Sequence, residues 1–318
     1  LWISHWSDDL MNVNEPPILL VGTGAMASLF AALLAAKGLK VRLLGTWKEN
    51  IKVLNEVGVK FIDQEENEFI YPVEATSDPE KCYGSRFAIV LVKSYQTTYA
   101  AKRLVKCLEP DGLALTLQNG LSNREILADA LGEQRVISGA TTLGATLIGP
   151  GIVRMGGTGG ISIGYHKNVK LPADLLRQAG FEVEVVEDTR SLVWGKLVIN
   201  AAINPLTALL GVKNGELLEN PNSRKLMRLI TIESAGVAAA LEIKLPYPDP
   251  VETVESVAQR TASNYSSMYI DMGRGSLTEI DAINGAIVRA GEAIGAPTDK
   301  NRMLWLLVRA STKDQQLN

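Results

Sequence analysis

The chain is almost without histidine: His5 and His166 are the only two in 318 residues. A histidine-rich zinc site is therefore excluded. A Ser-His-Asp relay stays open only if the fold happens to place His166 for it. Cysteine is equally scarce. Cys82 and Cys107 form no CxxC pair and read as thiols in a reducing compartment. Neither charge sign dominates. A formal net charge of -3 gives no basic surface for nucleic acid or an anionic membrane. No apolar run reads as the roughly 18 to 20 residues of a membrane span. The opening LWISHWSDDLMNVNEPP lacks the basic-then-apolar order of a signal peptide. We therefore expect a cytoplasmic protein with no metal and no nucleic-acid or membrane partner. Residues 1–16 read as a disordered or non-native extension.

What the chain does have begins at Ile18. The run 18–22 (ILLVG) is short, apolar and ends in glycine, the pattern of a buried parallel strand. An Ala- and Leu-rich helix over 25–36 and a strand over 41–44 complete a βαβ unit. Strands at 87–92 and 113–117 and helices at 97–108 and 123–131 extend the series, with Pro110-Asp111-Gly112 as the exit turn of the first of these helices. The β-prone segments 59–62 and 68–73 suggest a hairpin or edge insertion. The glycine-rich stretch 144–163 reads as short strands that finish the sheet. A helix over 172–180 and a strand over 181–186 close this half. After Thr189 only helical spacing remains, in runs at 192–210, 223–241, 251–271, 278–294 and 300–310. The pattern is α/β: a Rossmann-type domain over 17–188, then an all-helical domain over 189–318.

The glycine turn carries the first functional signal. Gly22-Thr23-Gly24-Ala25-Met26-Ala27 is a G-x-G-x-x-A between a buried strand and a helix. Gly22 permits the turn, Gly24 lets a pyrophosphate approach, and Ala27 lets helix and strand pack closely. The helix N-terminus then offers free N–H groups to the phosphates. At the end of the second strand, Gly45-Thr46-Trp47-Lys48 contains no acid to take a ribose 2′-hydroxyl. Thr46, the backbone and Lys48 suit a 2′-phosphate better, which favours NADPH and leaves NADH open. Arg42 is a weaker candidate. Lys93 and Asn119 end later strands, at the edge of the sheet where ligands bind in open α/β folds.

The second half carries the chemistry. Lys196, Asn200 and Asn204 repeat at four-residue spacing in an apolar helix, so they share one face. Polar groups there need partners, either a structural network or a substrate. Pro205 disturbs the helix beside Asn204 and turns that side chain toward a cleft. Ser267 and Asp271 share a second helical face. Glu279 stands near the start of the next helix, where a carboxylate is also an ordinary preference.

These residues together resemble the ketopantoate reductase (2-dehydropantoate 2-reductase) family. The resemblance runs from about Ile18 to Ala310. It rests on GTGAMA at 22–27, QNG at 118–120 and WGKLVINAAINPLTAL at 194–209, with NGEL at 214–217, NYSSM at 264–268 and TEIDAING at 278–285. It implies reduction of the ketone of 2-dehydropantoate to (R)-pantoate by NADPH, on the route to pantothenate, with the active site between a dinucleotide-binding domain over 17–188 and a helical substrate and dimerisation domain over 189–318, and a homodimer. Lys196 and Glu279 match the family's catalytic residues. Asn200, Asn204, Ser267 and Asp271 match substrate-side residues, and Asn119 and Lys93 match residues of the cofactor side or cleft. Two departures stand out. Thr46 occupies a position where members commonly carry arginine for the 2′-phosphate. Ser276 follows Gly275 where arginine is usual, with Arg274 displaced before it. Two other readings stay open: a reductase of another small 2-keto acid, and a nicotinamide-sensing protein without turnover.

Overall fold

The computed structural model describes residues 16–312. The extension read over 1–16 therefore lies outside the described residues except for Pro16. The α/β half runs β1 (Ile18–Val21), α1 (Ala25–Ala35), β2 (Val41–Leu44), α2 (Lys48–Glu56), β3 (Val59–Ile62), β4 (Glu68–Tyr71), β5 (Glu74–Thr76), β6 (Ser85–Val90), α3 (Thr97–Leu104), β7 (Leu108–Thr116) and α4 (Asn123–Leu131). It continues through β8 (Val136–Thr141), β9 (Gly144–Gly149), β10 (Ile152–Gly157), β11 (Gly160–Gly164), α5 (Lys170–Gln178) and β12 (Glu182–Val186). Helices alone follow: α6 (Thr189–Leu210), α7 (Glu216–Glu219), α8 (Pro221–Ala240), α9 (Pro250–Arg260), α10 (Ser267–Gly273), α11 (Asn284–Ile294) and α12 (Asp299–Ser311).

Eight strands form one sheet in the order β12-β11-β8-β7-β6-β1-β2-β5. All neighbours are parallel except β8 and β11. The four residues of β1 show why it is central. Ile18 and Leu20 face a core shared with α1 and α5, while Leu19 and Val21 face a second core shared with α3 and α4. A strand buried on both faces reads as an unbroken apolar run. Helix α1 packs close because Ala27, Ala31 and Ala32 are fully buried, and Phe30 stacks on Phe181 with ring centroids 4.8 Å apart.

A second sheet, β4-β3-β10-β9, covers the outer side of α1. The segment expected to finish the main sheet therefore divides. Strand β11 joins that sheet, whereas β9 and β10 pair with each other and, through β10 beside β3, extend the earlier β3–β4 hairpin. The helix expected over 97–108 stops at Leu104. Pro110-Asp111-Gly112 is no exit turn but an excursion inside β7, where Ser85 pairs with Leu108 and Phe87 already with Leu113. Arg135 supplies donors to the Glu109 and Gly112 carbonyls there, so the excursion does not end the strand.

Two helical runs are also shorter than their periodicity suggests. The run 251–271 breaks into α9 and α10, because Ser266 caps α10 by accepting the Tyr269 N–H at 3.1 Å. The run 278–294 becomes helical only at Asn284. Residues before it form a turn in which the Glu279 carbonyl accepts the N–H groups of Ala282 and Ile283. Helix α6 is the axis of the helical half and packs on α8, α9, α10, α12 and β8. By length and composition alone it is apolar enough to cross a membrane, contrary to the expectation from apolar runs. Here its apolar faces are buried in protein instead.

Candidate active site

The glycine turn lies at the carboxyl end of β1, next to the end of β6, where the strand order changes direction. Such a switch point is where open α/β sheets bind ligands. Gly22 has φ +130, and a Cβ there would meet the Leu91 backbone carbon at 3.3 Å. At Gly24 a Cβ would find no atom within 4 Å. The N-terminus of α1 has no side-chain cap and no acid in its first turn. Open space above unpaired N–H groups fits a dinucleotide pyrophosphate. Thr23 is buried and its carbonyl is held by Asn50 Nδ2 at 2.7 Å, while Asn50 Oδ1 accepts the Gly151 N–H. Asn50 escaped the sequence reading. Its signal was a lone amide on the buried face of the amphipathic α2.

Thr46, Trp47 and Lys48 are all exposed at the end of β2, with Lys48 the first residue of α2. Arg42 is engaged elsewhere, by Glu74 of the neighbouring β5 and by the Lys81 carbonyl. The buried Arg103 holds the backbone of this loop instead, donating to Gly45 O at 3.2 Å and Ser77 O at 2.7 Å.

The two halves meet at the carboxyl edges of β6 and β7. Lys93 Nζ lies 2.6 Å from Asp271 Oδ2 and 3.9 Å from Glu279 Oε2. Glu279, almost fully buried, accepts the Ser94 N–H at 2.9 Å and Asn119 Nδ2 at 3.1 Å. Burial pulls the Lys93 amine down, but Glu279 and Asp271 outweigh it and raise its pKa. Burial likewise pushes the Asp271 carboxyl up, against the pull of Lys93. Gln118, Thr97 and Asn123 brace the loop that carries Asn119. Gly120 packs so tightly on Ala282 that a Cβ would meet the Ala282 carbonyl oxygen at 2.5 Å. Arg274 donates to the Leu147 carbonyl at 2.7 Å, so the displaced arginine serves as a contact between the halves.

Lys196 enters the same cleft from α6. Its Nζ donates to the Thr141 carbonyl at the end of β8, at 2.7 Å. Burial drives its pKa down from the ordinary lysine value to about 8, with Glu279 opposing the shift. Asn200 and Asn204 follow one and two turns later. Neither side-chain amide has a hydrogen-bond partner among the described residues. Of the serine pair, Ser266 is buried and tied to Thr207 Oγ1 at 2.7 Å, while Ser267 is exposed at the start of α10. His166 bonds the Gln134 carbonyl and the Asn168 N–H, and so takes no part in a relay. Among the described residues no group of side chains has the makings of a metal site.

Thus the structure brings Lys93, Asn119, Lys196, Asp271 and Glu279 together and leaves Asn200 and Asn204 unpaired nearby on α6. The dinucleotide loop, the desolvated lysine and the amides define a nicotinamide-dependent oxidoreductase. Residues 18–168 match the family described as ketopantoate reductase PanE/ApbA, and residues 188–312 match its C-terminal region. The 2-dehydropantoate 2-reductase of Archaeoglobus fulgidus is 36% identical over 297 residues, covering 92% of this chain and 96% of that protein. The PanE/ApbA family ketopantoate reductase of Ralstonia eutropha JMP134 superposes with TM-score 0.86 at 32% identity, over 94% of this chain and 99% of that one. A D-mandelate dehydrogenase bound to NADH and anilino(oxo)acetate gives TM-score 0.87 at 28% identity, over 93% and 98%. The chain belongs to the ketopantoate reductase PanE/ApbA family.

Proposed function

We propose that this chain reduces the ketone of 2-dehydropantoate to (R)-pantoate, on the route to pantothenate, with NADPH. The observation that carries the reading is the partly buried Lys196 amine, held at Thr141 O with donors to spare, on the same helix as two unpaired amides. In this reading residues 17–188 hold the dinucleotide and 189–318 supply the substrate wall and a homodimer contact. The protein acts in the cytoplasm, without nucleic-acid or membrane partners.

Gly22 to Ala27 hold the pyrophosphate, Thr46 and Lys48 the adenosine end, and Asn119 and Lys93 line the cleft side. When bound, the nicotinamide supplies the hydride. Lys196 does the rest of the polar work. One of its three N–H groups is spent on Thr141, leaving others for the ketone oxygen. As negative charge grows on that oxygen the ammonium stabilises it and then gives up its proton. A pKa near 8 makes that transfer easier than from an ordinary lysine. Glu279 opposes part of the desolvation and so favours the charged amine. Asn200, Asn204 and Ser267 are neutral groups suited to a carboxylate and a hydroxyl, and Asp271 lines the same wall. A site built to bond a hydroxyl rejects analogues that lack it.

The likeness to an NADH-bound D-mandelate dehydrogenase favours a second reading, reduction of another 2-keto acid with NADH. Initial rates with 2-dehydropantoate, 2-ketoisovalerate and an aryl 2-oxo acid, each with NADPH and NADH, separate the two. Preference for 2-dehydropantoate with NADPH supports the first. Preference for either other acid moves the chain to the second.

A further inference from the structure

Helix α6 runs unbroken through Pro205. Proline has no N–H, so the carbonyl four residues earlier loses its helical partner. That carbonyl belongs to Ala201, and it is not left bare. Asn284 Nδ2, from the first turn of α11, donates to Ala201 O at 3.1 Å. Resting on the reading of Asn200 and Asn204 as substrate-binding, we propose that Asn284 is a positioning residue for that face of α6. It stands in for the N–H that Pro205 lacks and sets the turn between the two asparagines.

The direction of the Asn284 amide is fixed from the far side of the helical half. The Glu233 carboxylate can only accept. It takes Asn301 Nδ2 at 2.9 Å and the Asn301 N–H at 2.8 Å, with Lys300 Nζ at 3.1 Å on its other oxygen. Asn301 also donates to Ser234 Oγ at 3.1 Å, so its oxygen must face Asn284, whose Nδ2 meets it at 3.0 Å. Both polar contacts of the Asn284 side chain are therefore donations. A flipped amide would set its oxygen against those of Ala201 and Asn301.

The residue is held for those donors. Asn284 and Asn301 are fully buried, and Asn284 Oδ1 has no partner. An unpaired buried acceptor is costly, and an apolar side chain would remove it. Such a side chain would also leave Ala201 O bare in the turn between Asn200 and Asn204. Other carbonyls beside the polar residues of α6 receive outside donors too. Tyr247 Oη donates to Gly195 O at 2.9 Å beside Lys196, and Ser266 Oγ, at the start of α10, donates to Asn204 O at 3.4 Å. At Ala201 alone the outside donor replaces one the helix is missing.

The test is a double-mutant cycle between Asn284→Ala and Pro205→Ala, since alanine at 205 restores the N–H for Ala201 O. The readouts are KM and kcat for the 2-keto acid that the wild type turns over best, NADPH Kd, and Tm. We expect Asn284→Ala to raise keto-acid KM about 10-fold or more, as displaced binding groups do, with NADPH Kd within about 2-fold. In the Pro205→Ala background the same change should move KM less than about 3-fold. An equal KM effect in both backgrounds, or none in either, overturns the proposal. If Asn284→Ala alone does not fold, recovery of a folded protein by adding Pro205→Ala supports it, and failure of both overturns it. Asn204→Ala is the control for the underlying reading. Wild-type KM in that variant sinks the substrate role of the helix face, while non-additive Tm changes between positions 284 and 205 still report the hydrogen-bond replacement.

Discussion

Lys93 Nζ and Asp271 Oδ2, 178 residues apart in sequence, stand 2.6 Å apart in the cleft, and the same ammonium is 3.9 Å from Glu279. One positive charge therefore separates two carboxylates on the opposite wall. Removing it leaves them facing each other. Lys93→Met should cost about 2 to 4 kcal/mol in urea unfolding, in the range for breaking a partly buried pair. Asp271→Asn in that background should return part of the loss. A double variant as unstable as the sum of its singles would show that the carboxylates do not repel through this gap.

Lys196 predicts two opposed pH trends. Its folded pKa is near 8, below the ordinary 10.5. In its proposed role of proton donor it must be charged, so kcat/KM should fall as pH rises through about 8. Stability should do the reverse. Between about 8 and 10.5 the unfolded chain binds a proton that the folded chain does not, so this residue's contribution to stability rises with pH. Comparison with Lys196→Met isolates both effects. That variant should lose about 10²- to 10⁴-fold in kcat while keeping NADPH affinity. A wild-type rate would remove Lys196 from the chemistry.

Glu279 receives two donors from the first half, the Ser94 N–H and Asn119 Nδ2. Glu279→Ala strands both in a buried place. Turnover should fall about 100-fold, the scale of a misplaced catalytic group. A rise in keto-acid KM beside that loss would reveal direct contact with bound substrate. Unaltered kcat and KM would argue against either role.

Thr46 is exposed beside Lys48, and no acid stands at the end of β2. Thr46→Arg should tighten NADPH relative to NADH, because a guanidinium can take a phosphate in two parallel bonds. An unchanged ratio of the two dissociation constants would locate the 2′-phosphate grip elsewhere.

The alternation of α/β units was legible because each strand and helix carries its own period. The glycine turn and the Lys196 stripe were legible because their spacing is local. Pairings across long separations were not. Nothing in Gly144 to Gly157 announces that β10 will lie beside β3, since pairing depends on what α1 leaves uncovered. Similarly, 108–112 contains turn-forming residues, and Arg135, more than twenty positions on, holds two carbonyls of the excursion. Glu279 was marked by its motif, yet its partners Ser94 and Asn119 come from another half of the chain. Ser94 contributes through its backbone, which side-chain patterns cannot reveal. Arg274 looked misplaced in sequence and proved to reach the Leu147 carbonyl.

In the proposed function Glu279 would also join two binding events. Its oxygens hold a backbone N–H after β6 and an amide after β7, both on the dinucleotide side, while its charge acts on Lys196. If a bound dinucleotide draws on Asn119, the field at Lys196 changes with it, and so does the pull on a keto acid. Thermodynamic reciprocity then requires the converse by the same factor. The strength of cooperation between the two ligands in this cleft is thus a property that one carboxylate can set, and titrating each ligand in the presence of the other should return two equal ratios.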